Sequence, residues 1–285
     1  MDGQNILYQY IKDEFSEEQM KRLLADLSIW IPPRFYRRLP IILPYIVRDY
    51  TCRKNRETGE DEWGSANSSG FLRDDNSLIK GVVRSFPIKS SKIKQYNGKI
   101  LGNGFVASHI WGKITINGKE IISNQHYMLN SFVPNLVWLP VQISKLTDIE
   151  GSVAQKTLQT ISRRLYGDIT LPEGMSNILD ALVSPTDLPK FDINPTIMNY
   201  FEVSDEWLRK RISSLISEIN AILSVKPNQK TTLNKIKTSR YLPTLRELPA
   251  ESRIELNNWL LYYKTILESR ARLFRKWLKM VINPH

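Results

Sequence analysis

Gly104-Phe105-Val106-Ala107-Ser108-His109-Ile110-Trp111-Gly112 and Ser131-Phe132-Val133-Pro134-Asn135-Leu136-Val137-Trp138-Leu139-Pro140 are the two stretches on which the fold of this chain turns. The first is an apolar run that ends on a histidine before a glycine, so its imidazole is expected to emerge from a strand into a turn. In the second, an asparagine introduces Leu136-Val137-Trp138-Leu139. Four apolar residues in a row predict a short buried strand. Pro140 follows where the first turn of a helix can begin, since its missing N–H would be unpaired there anyway. Between the two stretches, Ile114-Thr115-Ile116-Asn117-Gly118-Lys119-Glu120-Ile121-Ile122 predicts a hairpin: β-branched residues on both sides of an Asn-Gly turn.

Outward from this centre the pattern becomes helical. Apolar spacing predicts helices over 5–27, with Ser16-Glu17-Glu18 as a fresh N-terminus, and near Phe35 to Arg48. Further helices are expected over 152–166, 175–184, 204–224 and 248–281. Residues 53–77 carry loop chemistry: Gly, Ser, Asn and Asp. The expected class is α+β, in three regions: a helical 1–87 with its polar loop, a core at 88–166, and a helical 167–285. No internal repeat interrupts this plan.

The chain has 285 residues, enough to bury a large core without staples. Its 40 Lys and Arg against 29 Asp and Glu give a net charge of +11, which favours a polyanionic partner such as nucleic acid. The single cysteine, Cys52, excludes an intrachain disulfide and any zinc site that needs paired thiolates. A reducing cytoplasm is the expected compartment. The acidic start Met1-Asp2-Gly3-Gln4 does not have the form of a signal peptide. The greasiest stretch, Ile29 to Val47, is broken by Arg34, Arg37, Arg38 and four prolines, so no membrane partner is expected.

His109 and Asn135, 26 residues apart on two short strands, give the segment its resemblance to the HNH family, the ββα-metal nucleases. That family has a His at the end of a first strand, an Asn opening a second, and a metal-binding side chain on the helix that follows. The resemblance spans about 45 residues. Nine residues after Asn135, where the family has a further His, stands Ser144; Asp148 lies four residues beyond. Ser108 stands where an Asp often precedes the first His. The resemblance implies a ββα-metal core and an endonuclease that hydrolyses duplex DNA with Mg²⁺ or Mn²⁺. It implies His109 as general base, Asn135 as the residue holding the His-bearing loop or touching the metal, and Asp148 and Ser144 as further metal positions. A neutral imidazole can accept the proton of the attacking water near pH 7. The long chain outside the motif points by analogy to a restriction-type or defence enzyme. Cutting both strands of a palindromic site implies a homodimer.

Other residues carry alternatives. Asn130 rivals Asn135, and Asp148 has a second reading as a surface acid paired with Lys145. His126 is expected on a surface loop, and His285 is the frayed last residue. Arg73, Lys113, Lys145, Arg163 and Arg164 are the DNA-contact candidates, while Asp74 and Asp75 belong to the polar loop and could serve a different metal site. The basic residues of 248–281, Arg272, Arg275 and Lys276 among them, suit either phosphates or a solvated face. A non-catalytic DNA-binding protein on the same ββα scaffold is the alternative to the nuclease.

Overall fold

Ser16 opens helix α1 (Glu17–Leu27) with a capping box: Gln19 N–H donates to the Ser16 hydroxyl, and Ser16 N–H donates to the Gln19 side chain. Two of the N–H groups that a helix start leaves unpaired are satisfied in this way, on the residues where the sequence marks the start. The computed structural model describes residue 10 and residues 16–43, 77–116, 118–123, 126–172, 175, 178, 182, 194–225 and 250–282. After α1 come β1 (Ile29–Trp30), α2 (Pro33–Arg38), α3 (Ser77–Val83), β2 (Ile88–Lys89), β3 (Phe105–His109), β4 (Lys113–Ile116) and β5 (Lys119–Ile122). Then follow β6 (Leu136–Pro140), α4 (Val141–Ser144), α5 (Val153–Tyr166), β7 (Asn199–Phe201), α6 (Asp205–Leu223) and α7 (Ala250–Ile282). The fold is mixed α+β.

Residues 1–42, 75–123 and 131–203 form one compact unit. Its centre is a five-stranded sheet in the order β2-β7-β1-β6-β3, with β1 and β7 parallel and the other neighbours antiparallel. The sheet draws strands from all three of the regions read from sequence. Leu136, Val137, Trp138 and Leu139 on β6 are fully buried, as a strand covered on both faces requires. Trp138 meets Phe201 edge-on at 5.1 Å on one face. On the other face Trp30 lies 6.4 Å from Tyr166 of α5, whose hydroxyl donates to the Ile31 carbonyl at 2.6 Å. The β4–β5 ribbon forms as expected, with Thr115 opposite Glu120 and Gly118 at φ 75° in its turn. A side chain there would be strained, which is why the turn takes glycine.

The sequence expectation for residues 35–48 needs correction. The helix is only Pro33–Arg38, and the chain then runs alongside residues 131–133: Val133 N–H donates to the Pro40 carbonyl and Ile42 N–H to the Ser131 carbonyl. Pro40 has no N–H to continue a helix, and the residue before a proline is pushed out of the helical region. The expected helix at 175–184 and the loop at 53–77 lie largely outside the described residues.

Residues 43–74, 124–130 and 204–285 form a second unit. Helix α6 buries Leu208, Ile212, Leu215, Ile219 and Ile222, one face at helical spacing. It packs with α7, which buries Leu256, Leu260, Tyr263 and Leu267. Tyr127 reaches α7, its hydroxyl donating to Glu255 at 2.5 Å. No described helix is long and apolar enough to cross a membrane.

Candidate active site

His109 ends β3 directly opposite Leu136, so the ladder brings it within one residue of Asn135. Hydrogen bonds hold the backbone of the next three residues. Ile110 N–H donates to the Asn135 carbonyl at 3.1 Å, and Trp111 N–H donates to Asn135 Oδ1 at 2.9 Å. The Ile110 carbonyl accepts from Gln159 Nε2 of α5 at 2.7 Å. The Ser123 hydroxyl donates to the Trp111 carbonyl, and Ser123 N–H to the Gly112 carbonyl at 2.8 Å. Asn135 is itself placed by the turn Val133–Asn135, which Ser162 of α5 ties down by donating to the Pro134 carbonyl at 2.6 Å. Asn135 and Ser123 are wholly buried, so these bonds face no competition from water. The half-buried His109 therefore stands at the head of a turn fixed by three side chains.

Strand alternation gives β3 two faces. Ala107 pairs with Trp138, so His109 shares that face; Ser108, paired with Val137, lies on the face covered by α5.

Beside the turn is a cleft of about 460 Å³. Lys113, Thr115 and Glu120 of the ribbon form one wall, and Gln155, Lys156 and Gln159 of α5 form another. Trp111, Ile114, Glu150 and Gly151 also line it. Glu150 lies over Gly112, where an added Cβ would come within 2.5 Å of its carboxylate oxygen. Lys113 pairs with Glu120 at 2.9 Å, and that carboxylate holds its ammonium above the usual lysine range. Gln155 Oε1 accepts from Gly151 N–H at 2.7 Å. Two side-chain atoms of these residues are sealed from solvent and have no partner: Trp111 Nε1, a donor, and Gln159 Oε1, an acceptor. Leaving such a group unpaired costs about 1–3 kcal/mol.

The positions expected to hold a metal are differently occupied. Asn135 Oδ1 is taken by the Trp111 N–H. Ser144 is buried and its hydroxyl donates to the Val141 carbonyl at 2.9 Å. Asp148 lies on the surface, paired with Lys145 at 3.3 Å. No group of three His, Cys, Asp or Glu side chains among the described residues is close enough to hold an ion. These donors do not fit a divalent cation.

Of the DNA-contact candidates, Arg164 is exposed, and Lys113 and Lys145 are exposed within their ion pairs. Arg163 is half-buried and donates to the Leu182 carbonyl at 2.9 Å. Arg73, Asp74, Asp75, Cys52 and His285 lie outside the described residues, as do the side chains of Arg275 and Lys276. His126 corrects its sequence expectation. It is half-buried in the second unit and stacks on Tyr127 at 4.5 Å, and burial pushes its pKa down to about 4. The sequence reading missed Gln159, Ser123 and Glu150. The one signal for Gln159 was its spacing: with Gln155 it places two amides one turn apart on α5. No protein-family model, curated protein or solved structure matches the chain.

Proposed function

We propose that the chain binds duplex DNA and hydrolyses its phosphodiester bonds at the His109 turn, as an endonuclease of HNH-like type. The observation that carries this reading is the Asn135 clasp: its side chain and backbone both hold the residues after His109. That is the part an asparagine plays in the family the sequence resembles. His109 at a strand end, on a rigid turn, is suited to take a proton from the attacking water. The net charge of +11 supplies the attraction to a polyanion. A restriction-type enzyme, dimeric on a two-fold site and cytoplasmic, is the class we propose. Dependence on Mg²⁺ or Mn²⁺ enters from the resemblance alone, since the donors at Asn135, Ser144 and Asp148 do not fit an ion.

Supercoiled plasmid incubated with the protein, with Mg²⁺ and with EDTA, tests the reading. Nicking or linearisation is expected, and His109→Ala should slow it by about two to four orders of magnitude. DNA affinity should stay within a few-fold. Wild-type cutting by a protein whose His109→Ala variant cuts equally fast would sink the assignment. The EDTA arm decides the metal dependence by itself.

The spent metal-position donors favour a second reading: a non-catalytic DNA-binding protein on a ββα scaffold. Tight binding without any nicking over hours would select it.

A further inference from the structure

The positive charge of this chain is unevenly placed. Eight Lys and Arg and no acid lie between Asp75 and Glu120. Four of them, Arg84, Lys89, Lys94 and Lys99, are exposed within the segment 84–100 and make no ion pair among the described residues. Several exposed cations elsewhere have a carboxylate beside them: Arg22 has Glu18, Lys113 has Glu120, Lys145 has Asp148 and Lys210 has Glu206. A protein surface ordinarily mixes the two signs, because like charges held together repel. Two acids approach the segment from other elements. Asp26 pairs with Lys92 at 2.5 Å, and Glu202 N–H donates to the Pro87 carbonyl at 2.8 Å. The balance of the segment stays positive. Lys89 lies on the edge strand β2, where a lysine also keeps other strands away. Arg84, Lys94 and Lys99 lie on no strand, so that role does not account for them.

These cations stand on a fixed frame. Ile88 N–H donates to the Lys99 carbonyl at 2.8 Å, and Gly98 N–H to the Ile88 carbonyl at 2.7 Å. Within that closure, Ser90 N–H donates to Asn97 Oδ1 at 3.1 Å, and Ile93 N–H donates to the Ser90 hydroxyl at 2.9 Å. The same hydroxyl donates to Asn199 of β7 at 2.6 Å and ties the segment to the sheet. A frame already held leaves less to be ordered on binding. Ser91, Gln95 and Asn97, exposed between the lysines, add the polar groups that phosphate oxygens accept from. We propose that the segment 84–100 grips the phosphate backbone of duplex DNA, with Arg84, Lys89, Lys94 and Lys99 each taking a phosphate. The Tyr96 ring lies 5.7 Å from Phe105, the first residue of β3, and His109 is the last. A strand of that length spans about 14 Å, or about four base-pair steps of duplex. One short duplex can therefore meet both the basic segment and the His109 turn. The inference rests on the DNA-binding half of the proposed function and not on its chemistry.

The test measures the affinity for a short random-sequence duplex over a range of salt concentrations. It compares wild type with the fourfold variant Arg84→Gln/Lys89→Gln/Lys94→Gln/Lys99→Gln. The control, Arg22→Gln/Arg209→Gln/Lys210→Gln/Lys264→Gln, removes as much charge elsewhere. Vesicles of phosphatidylcholine with phosphatidylserine are run in parallel. Each phosphate contact contributes about 0.9 to the log–log salt slope, so the segment variant should lose about 3–4 of it. At roughly 0.1 M salt its affinity should fall by about two to three orders of magnitude, on every duplex sequence alike. The control should lose less than about 1 of the slope. If the fourfold variant fails to fold, the doubles Arg84→Gln/Lys89→Gln and Lys94→Gln/Lys99→Gln replace it, each expected to lose about 2. An unchanged slope in the segment variant overturns the inference and leaves the DNA reading in place. Equal losses in the segment variant and the control overturn it as well, since net charge alone would then act. A wild type that binds no duplex at low salt overturns the inference and the DNA reading together, and vesicle binding in that case assigns the segment to a membrane surface. Duplex binding that depends on the segment, without any nicking of plasmid, keeps the inference and removes the nuclease chemistry.

Discussion

The turn after His109 and the segment Ser144–Asp148 are the two halves of the segment that resembles a nuclease motif, and they are built in opposite ways. In the first, the side chains of a buried asparagine, a buried serine and a buried glutamine claim backbone groups of two consecutive residues, Ile110 and Trp111. In the second, Ser144 bonds within its own helical turn, and Asp148 forms a pair with Lys145 in which both side chains are more than half exposed. The first half spends buried polar groups on geometry, which is costly unless every bond is made. Among the described residues the second half bonds only to its own neighbours in sequence, and its one carboxylate lies in solvent. A residue type at the right spacing is thus a weaker sign of a site than a polar side chain bonded across a long stretch of sequence.

The largest expected effect falls on the buried half. Asn135→Ala removes the acceptor for the Trp111 N–H and leaves that group buried and unpaired, beside a cavity. Stability should fall by about 3–4 kcal/mol, and any cutting should fall with it even where the protein is still folded. Urea denaturation with plasmid nicking on the same samples measures both. A loss below about 0.5 kcal/mol would mean that the turn does not need its clasp, and the contrast between the halves would go.

His126 supplies a histidine of another kind, half-buried against Tyr127 at the start of a turn. Its folded pKa is about 4 against an ordinary 6.5. The unfolded chain therefore binds a proton there that the native state refuses. Stability should be full above pH 6.5, fall as the pH drops from 6.5 towards 4, and level off below that. The change is roughly 3 kcal/mol. His126→Gln should flatten this part of the stability profile, measured by denaturation across pH 4–7. An unchanged slope would move the titration to another group.

A smaller effect is expected at Ser123, which ties the end of β5 back to the turn. Ser123→Ala deprives the buried Trp111 carbonyl of its donor and should cost about 1–2 kcal/mol. An intact melting temperature in this variant would remove Ser123 from the clasp.

The parts of this architecture that follow local rules were legible. The Asn-Gly hairpin, the apolar run of β6 and the Ser-capped helices α1, α5 and α6 all follow from residues within a few positions of one another. The strands β1 and β7 were not, because two or three residues carry no periodicity and their pairing partners lie more than 100 positions away in the chain. The same distinction divides the site. His109 and Asn135 stand out by type and place, whereas Gln159 lies 49 residues from the carbonyl it holds and looks like an ordinary helix residue. The helix expected near Phe35 to Arg48 misled because a proline stops it at Arg38 while Leu39, Ile41 and Ile42 stay buried, the chain now running alongside the segment 131–133.

The smallest expected effect is the sharpest probe of the second half. Asp148→Asn removes one charge from an exposed pair, and exposed pairs contribute little because water and salt screen them. Stability should change by less than about 0.5 kcal/mol. If the surface pair is all that Asp148 does, cutting at low Mg²⁺ should match wild type, whatever the dependence on the ion. A variant that folds, binds DNA with wild-type affinity and yet needs far more Mg²⁺ to cut would show that the carboxylate leaves Lys145 when the substrate arrives. In that case the second half of the motif is assembled on DNA, and the contrast drawn from the free protein would hold only before binding.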